Sequence, residues 1–129
     1  MKKLQNFKPS LVTKEFFPGY QDVSVINEGE CFIWAYLAHS LFIDVELWYN
    51  GSHAFVKYHG RFYDSEVLRG SPDWADLPAT EGGGIPRRVS VKEFQVGWKG
   101  QPKWYGTSWV KLERDAQKVI RKHERLLRT

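Results

Sequence analysis

Between Cys31 and Ile43 only His39 and Ser40 are clearly polar. Thirteen residues of that character are too many for a typical strand and predict a helix buried on most sides. Glu28 and Glu30 precede it, where negative charge complements a helix N-terminus. Upstream, residues 10–17 predict a short helix with Ser10 as N-cap, stopped by Pro18-Gly19. Residues 20–26 alternate in part and read as extended, and residues 1–9 read as a loose arm.

After the apolar helix the pattern changes to strands and tight turns. Residues 44–49, 52–58 and 61–65 predict three antiparallel strands. Asn50-Gly51 and His59-Gly60 serve as the two-residue turns, because both pairs tolerate positive φ. Residues 71–78 predict a single helical turn capped by Ser71, with Pro72 at its first position and Pro78 as its stop. The glycines of residues 82–84 form a loop whose spacing fits neither a dinucleotide nor a P-loop signature. Residues 87–96 carry two signals: Arg88 to Lys92 alternates like a strand, while Ser90 to Glu93 fits a capping box. The helix is the preferred reading.

Trp98, Trp104 and Trp109 lie among glycines and a proline and predict an aromatic layer over the core. Trp109, Leu112, Ala116, Val119, Ile120, His123 and Leu127 then recur at helical spacing. The predicted class is therefore α+β: a central N-terminal helix packed on an antiparallel β-meander, with a C-terminal amphipathic helix over residues 108–129.

Composition narrows the picture. The 129 residues suit one domain, which at this size buries roughly two-thirds of its unfolded surface. The 42% hydrophobic content and 20 aromatics exclude a disordered chain. No apolar run is long enough to span a membrane, and the basic start lacks a signal-peptide core. A single cysteine excludes an internal disulfide, and cytoplasmic residence as a monomer is the expectation. The net charge of +4 lies in residues 108–129, since residues 1–107 carry 12 basic and 12 acidic side chains. That segment reads first as the solvated face of a helix. Lys118, Arg121, Lys122 and Arg125 also make it a candidate surface for an acidic partner or nucleic acid, which its interspersed acids disfavour.

The only cysteine, Cys31, opens the buried helix, where backbone N–H groups and the helix dipole favour a thiolate. Pairing Tyr58 with Arg61 across His59-Gly60 sets Phe55 opposite Asp64 and His53 opposite Glu66. His53 and Asp64 are then diagonal neighbours on one face, about 7 Å apart. A nucleophile, a general base and a group that orients the base are what thiol acyl transfer needs, with Glu66 as a second candidate for the orienting carboxylate. The Cys31 amide is the natural oxyanion donor, and Asn27 and Gln21 are candidate side-chain donors. His39, His59 and His123 read as structural or exposed. No Cys/His spacing suggests zinc, so no metal or other cofactor is expected.

The segment Gly29-Glu30-Cys31-Phe32-Ile33-Trp34-Ala35 resembles the Gly-Gln-Cys-Trp-Val-Phe-Ala motif of the transglutaminase-like, papain-like superfamily. Ser52-His53-Ala54-Phe55-Val56 is similar to its histidine strand, and Gly60-Arg61-Phe62-Tyr63-Asp64 to the strand that supplies aspartate. The resemblance covers residues 27–66 and implies a papain-like core with Cys31, His53 and Asp64 as a catalytic triad. It departs from the motif at Glu30 and Phe32. The function it implies is a peptidase, deamidase or transamidase acting on a protein or peptide amide or ester. Trp34, Trp48 and Trp74 are candidate cleft residues, with core packing the first expectation for each. The rival expectation is a non-catalytic interaction protein of the same fold, of the kind phages encode, binding a host protein or nucleic acid.

Overall fold

A computed structural model describes residues 3–20 and 22–127 of the chain. Helix α1 (Pro9–Phe16) is followed by a 3₁₀ segment (Val23–Glu28) and by the central helix α2 (Cys31–Leu41). Strands β1 (Glu46–Tyr49), β2 (Ala54–Tyr58) and β3 (Arg61–Tyr63) form the meander. Strand β4 (Arg87–Val89), the short helices α3 (Val91–Gly97) and α4 (Gln101–Trp104), and the long helix α5 (Trp109–Leu127) complete the chain. The architecture is α+β, with one antiparallel sheet in the order β3-β2-β1-β4.

Helix α2 is the core. Nine of its eleven residues are buried. It packs on the sheet through β2 on one side and against α1 and α5 on the other. Leu112, Ala116, Val119 and Ile120 supply the buried stripe of α5 at helical spacing. The opposite face of the sheet carries a small second cluster of Phe55, Phe62 and Leu77, covered by Trp48, Val67 and Trp74.

The His59-Gly60 turn forms as its residues require, with φ of 48° and 81°. Tyr58 pairs with Arg61, Lys57 with Phe62 and Val56 with Tyr63. The other hairpin differs from expectation. Asn50 pairs with His53 through its amide at 3.3 Å, which leaves Gly51-Ser52 as the loop, and in this turn only Gly51 has positive φ. The cause is the Asn50 side chain, whose Oδ1 accepts from the amides of Ser52 and His53. That claim on the amides two and three residues on holds Asn50 in the ladder and moves the turn one residue on.

Other expectations are corrected in the same way. The arm at residues 3–8 is not loose: Leu4 makes a parallel bridge to Phe42, and Phe7 packs on Phe42, Tyr58 and Tyr63. Met1 and Lys2 lie outside the described residues. Helix α1 starts at Pro9 with Lys8 as N-cap, because proline's fixed φ suits the first helical position better than Ser10 suits the cap. The stretch expected to extend through Ile26 instead turns into the 3₁₀ segment, where Asp22 caps the Ser24 amide. Helix α2 ends at Leu41, and Phe42 is extended to meet Leu4. Ser71 does not cap a helix but bridges Phe62, extending the pairing beside β3. Asp73 caps the turn at Trp74–Asp76, and Pro78 opens a second 3₁₀ turn instead of ending the first. Residues 87–96 satisfy both of their signals, as β4 followed by α3 with a complete Ser90/Glu93 capping box. Trp98 and Trp109 pack against Phe32 and the Phe94–Tyr36 pair, whereas Trp104 is 78% exposed and covers no core.

Among the described residues no helix is long and apolar enough to cross a membrane.

Candidate active site

Cys31 is the first residue of α2 and 9% exposed. As a first-turn residue its amide has no acceptor within the helix, so the N–H beside the sulfur is free for a ligand oxygen. His53 lies one residue before β2, and Asp64 one residue after β3. Both side chains are 1% exposed, and His53 Nε2 lies 2.9 Å from Asp64 Oδ2. The structure thus places the two residues side by side just beyond the paired ends of their strands.

Asp64 is held from several directions. Its Oδ1 accepts from the amides of Glu66 at 2.9 Å and Val67 at 2.8 Å. Its Oδ2 accepts from Asn27 Nδ2 at 3.3 Å as well as from His53. A buried carboxylate needs such donors to replace the water it has lost. Asn27 is fixed in turn by Ser65, whose hydroxyl donates to Asn27 Oδ1 at 3.1 Å. This bears on two expectations. Asn27, a candidate oxyanion donor by sequence, directs one N–H of its carboxamide to Asp64 and accepts the Ser65 hydroxyl on its oxygen, which makes it a brace for the aspartate. Glu66 is exposed and contributes its backbone amide, not its carboxylate, to the cluster. Gln21 lies outside the described residues.

The bond from Nε2 to Asp64 leaves Nδ1 as the ring nitrogen available for the thiol. That nitrogen is buried and has no hydrogen-bond partner among the described residues. Burial pushes the imidazole pKa down. The hydrogen bond to Asp64 and the interaction with Cys31 together outweigh it, and the pKa is raised to about 9. Cys31 thus acts electrostatically on the ring, and no hydrogen bond joins it to Nδ1. His53 also stacks on Phe55, with centroids 5.7 Å apart.

The hairpin that delivers His53 is itself braced. Asn50 is buried and donates Nδ2 to the Thr80 carbonyl at 2.9 Å, while its Oδ1 receives the His53 amide at 2.9 Å. The glycine loop packs on this turn. A Cβ at Gly83 would lie 2.5 Å from Asn50 Nδ2, so the third residue of Glu81-Gly82-Gly83 must lack one. Neither Asn50 nor Gly83 stood out in the sequence as serving the histidine, although Asn-Gly before a strand was visible as a turn.

Trp34 is buried and bonded to Thr13 Oγ1, and Trp48 and Trp74 belong to the second cluster, so all three pack. The remaining histidines have structural or surface contacts: His39 with the Val45 carbonyl, His59 stacked on Tyr58, and His123 with Glu15. A cavity of about 760 Å3 lies between Lys3, His39, Lys57 and Arg88 and includes none of Cys31, His53 and Asp64. Among the described residues no cluster of His, Cys, Asp or Glu side chains is arranged to hold a metal ion. Comparison with known proteins finds no family model, no curated protein and no solved structure that matches this chain.

Proposed function

We propose that the protein is a thiol acyl-transfer enzyme of the transglutaminase-like, papain-like kind. The observation that carries this reading is His53 itself: one ring nitrogen is bound to a buried, multiply held aspartate, and the other has no hydrogen-bond partner among the described residues and feels the charge of the only cysteine. A structural histidine in a core satisfies both nitrogens or turns one to solvent.

In the proposed reaction Cys31 Sγ, as a thiolate, attacks the carbonyl carbon of an amide or ester and forms a C–S bond. The oxyanion takes the Cys31 amide. The C–N or C–O bond then breaks, and His53 gives its Nδ1 proton to the leaving group. Water or an amine attacks the resulting thioester, returns a proton to Nδ1, and releases the acyl group and the thiolate. Asp64 touches no reacting atom. It is a positioning residue that holds the tautomer and the ring plane. Water as acceptor makes the enzyme a peptidase or deamidase, and an amine makes it a transamidase. Its expected substrate is a protein or peptide.

The test is the rate of Cys31 alkylation by iodoacetamide as a function of pH, in the native chain and in His53→Ala. The expected result is rapid reaction well below pH 8 that depends on His53. A folded chain whose Cys31 is inert, or indifferent to His53, overturns the proposal.

The second reading, a non-catalytic binding protein, is favoured by the exposed side chains of Lys118, Arg121 and Arg125 on α5. Lys122 belongs to that group by sequence but is paired with Glu15 at 3.0 Å. Tight, steeply salt-dependent binding of an oligonucleotide would support this reading.

A further inference from the structure

A groove of about 290 Å3 opens at the residue preceding the nucleophile. Its walls include Phe17, Tyr20 and Tyr105, its far side is Lys111 on α5, and Glu30 and Thr107 present polar groups to it. Glu30 occupies the N-cap position of α2, yet its side chain makes no capping hydrogen bond. The carboxylate is turned into the groove, where the Tyr20 hydroxyl donates to its two oxygens at 2.7 and 2.8 Å. That bond, with burial second, raises the Tyr20 pKa to about 12.

The groove lacks a cation for this carboxylate. Among the described residues Glu30 has no ion-pair partner. Among the described residues the one cationic side chain lining the groove, Lys111, is bound to Asp115 at 2.8 Å. The Thr107 hydroxyl is buried in the same groove without a hydrogen-bond partner among the described residues. An unsatisfied buried hydroxyl and an unneutralised carboxylate between two tyrosine rings fit an alkylammonium or guanidinium group, which needs a counter-charge, acceptors and π faces. None of Cys31, His53 and Asp64 lines the groove; it adjoins the nucleophile through Glu30, the residue before it, and through Tyr105, whose hydroxyl donates to the Gly29 carbonyl at 3.0 Å. A Cβ on Gly29 would lie 2.5 Å from that oxygen, so the glycine permits the contact.

Resting on the reading of Cys31 as the nucleophile, we infer that this groove is a specificity subsite for a lysine or arginine side chain on the residue whose carbonyl Cys31 attacks. Glu30 pairs with the cation, Tyr20 and Tyr105 flank its stem, and Thr107 accepts one of its protons. A lysine carries its charge on a flexible four-carbon stem, and the same stem without charge has nothing to offer Glu30.

The experiment compares two chloromethyl ketones, one built on acetyl-lysine and one on acetyl-norleucine, with iodoacetamide as the small neutral control. Second-order labelling rates of Cys31 are measured in the native chain, Glu30→Gln, Glu28→Gln and His53→Ala. The expected lysine-to-norleucine ratio in the native chain is at least about tenfold, the scale of one charge-assisted contact. It should fall to about one in Glu30→Gln and persist in Glu28→Gln. His53-dependent labelling by both ketones with no lysine preference, or with a preference that survives Glu30→Gln, overturns the subsite and leaves the nucleophile standing. Labelling that ignores His53 for all three reagents overturns the proposed reaction and the subsite with it. The ratio within each variant cancels any change in thiol reactivity that Glu30→Gln causes. Should Glu30→Gln not fold, Glu30→Asp, which shortens the reach to the cation, is expected to lower the same ratio, and an unchanged ratio there overturns the subsite.

Discussion

The Asn27 side-chain amide donates to Oδ2 of Asp64 across 3.3 Å, the same oxygen that receives the His53 ring. Asn27 thereby fixes which way the carboxylate faces. In Asn27→Ala, Asp64 keeps its two backbone donors on Oδ1 but can rotate at Oδ2. The expected outcome is a fall of a few-fold in His53-dependent alkylation of Cys31 at pH 7 and a lower apparent pKa in its pH profile. A purely structural role for Asn27 would reduce stability and leave that profile where it was.

Asp64→Asn should act more severely. The amides of Glu66 and Val67 claim the remaining carbonyl oxygen, which turns the new NH2 group toward His53 Nε2. Two donors then face each other, and the imidazole must place its proton on Nδ1, the nitrogen that would serve Cys31. We expect Cys31 alkylation at pH 7 to drop by roughly tenfold or more. The tautomer is read from the imidazole 15N shifts.

The raised pKa of His53 also sets a pH dependence of stability. A group whose folded pKa lies above its ordinary 6.5 stabilises the fold fully below that value, and the contribution is lost as pH rises through about 9. The urea midpoint should therefore decline between pH 6.5 and 9.5. In His53→Gln the decline should be smaller, provided the variant folds.

The Asn50 side chain makes four hydrogen bonds, three within the hairpin that precedes β2 and one to the Thr80 carbonyl. Asn50→Ala strands the buried His53 amide, while the Thr80 carbonyl keeps the Gly83 amide at 3.2 Å, and the expected loss is about 1–3 kcal/mol by chemical denaturation. Gly83→Ala forces a methyl into the same place, 2.5 Å from Asn50 Nδ2 and 2.6 Å from Ser52 Oγ. It should displace the His53 hairpin and lower alkylation without touching the triad.

Leu4→Ala should cost about 2–4 kcal/mol, because the side chain is buried in the main core and the backbone is bonded to Leu41 and Ile43. A loose arm would show no change in the urea midpoint.

These cases show what the sequence revealed and what it hid. The His59-Gly60 turn was legible because two adjacent residues tolerate positive φ, and the register through Tyr58 and Arg61 follows from it. The helix of Cys31 was legible from its apolar length, and α5 from its periodicity. Hidden were the contacts made across long separations. Leu4 meets Phe42, Asn27 meets Asp64, and Gly83 meets Asn50; nothing in the local pattern of either partner announces the other. Asn50 was misread by one residue because its side chain competes for the amides that a two-residue turn leaves to the backbone.

The sheet itself stops at four strands for reasons that lie at its two rims. On one side the edge strand β4 carries the exposed Arg87 and Arg88 on its two faces, paired with Glu93 and Glu46 in ion pairs open to water. On the other, Ser71 occupies the Phe62 backbone groups of β3 from outside. A strand from another molecule thus meets charge at one border and an already satisfied backbone at the other. The protein should resist β-sheet self-association at high concentration even though much of its sequence is aromatic and apolar.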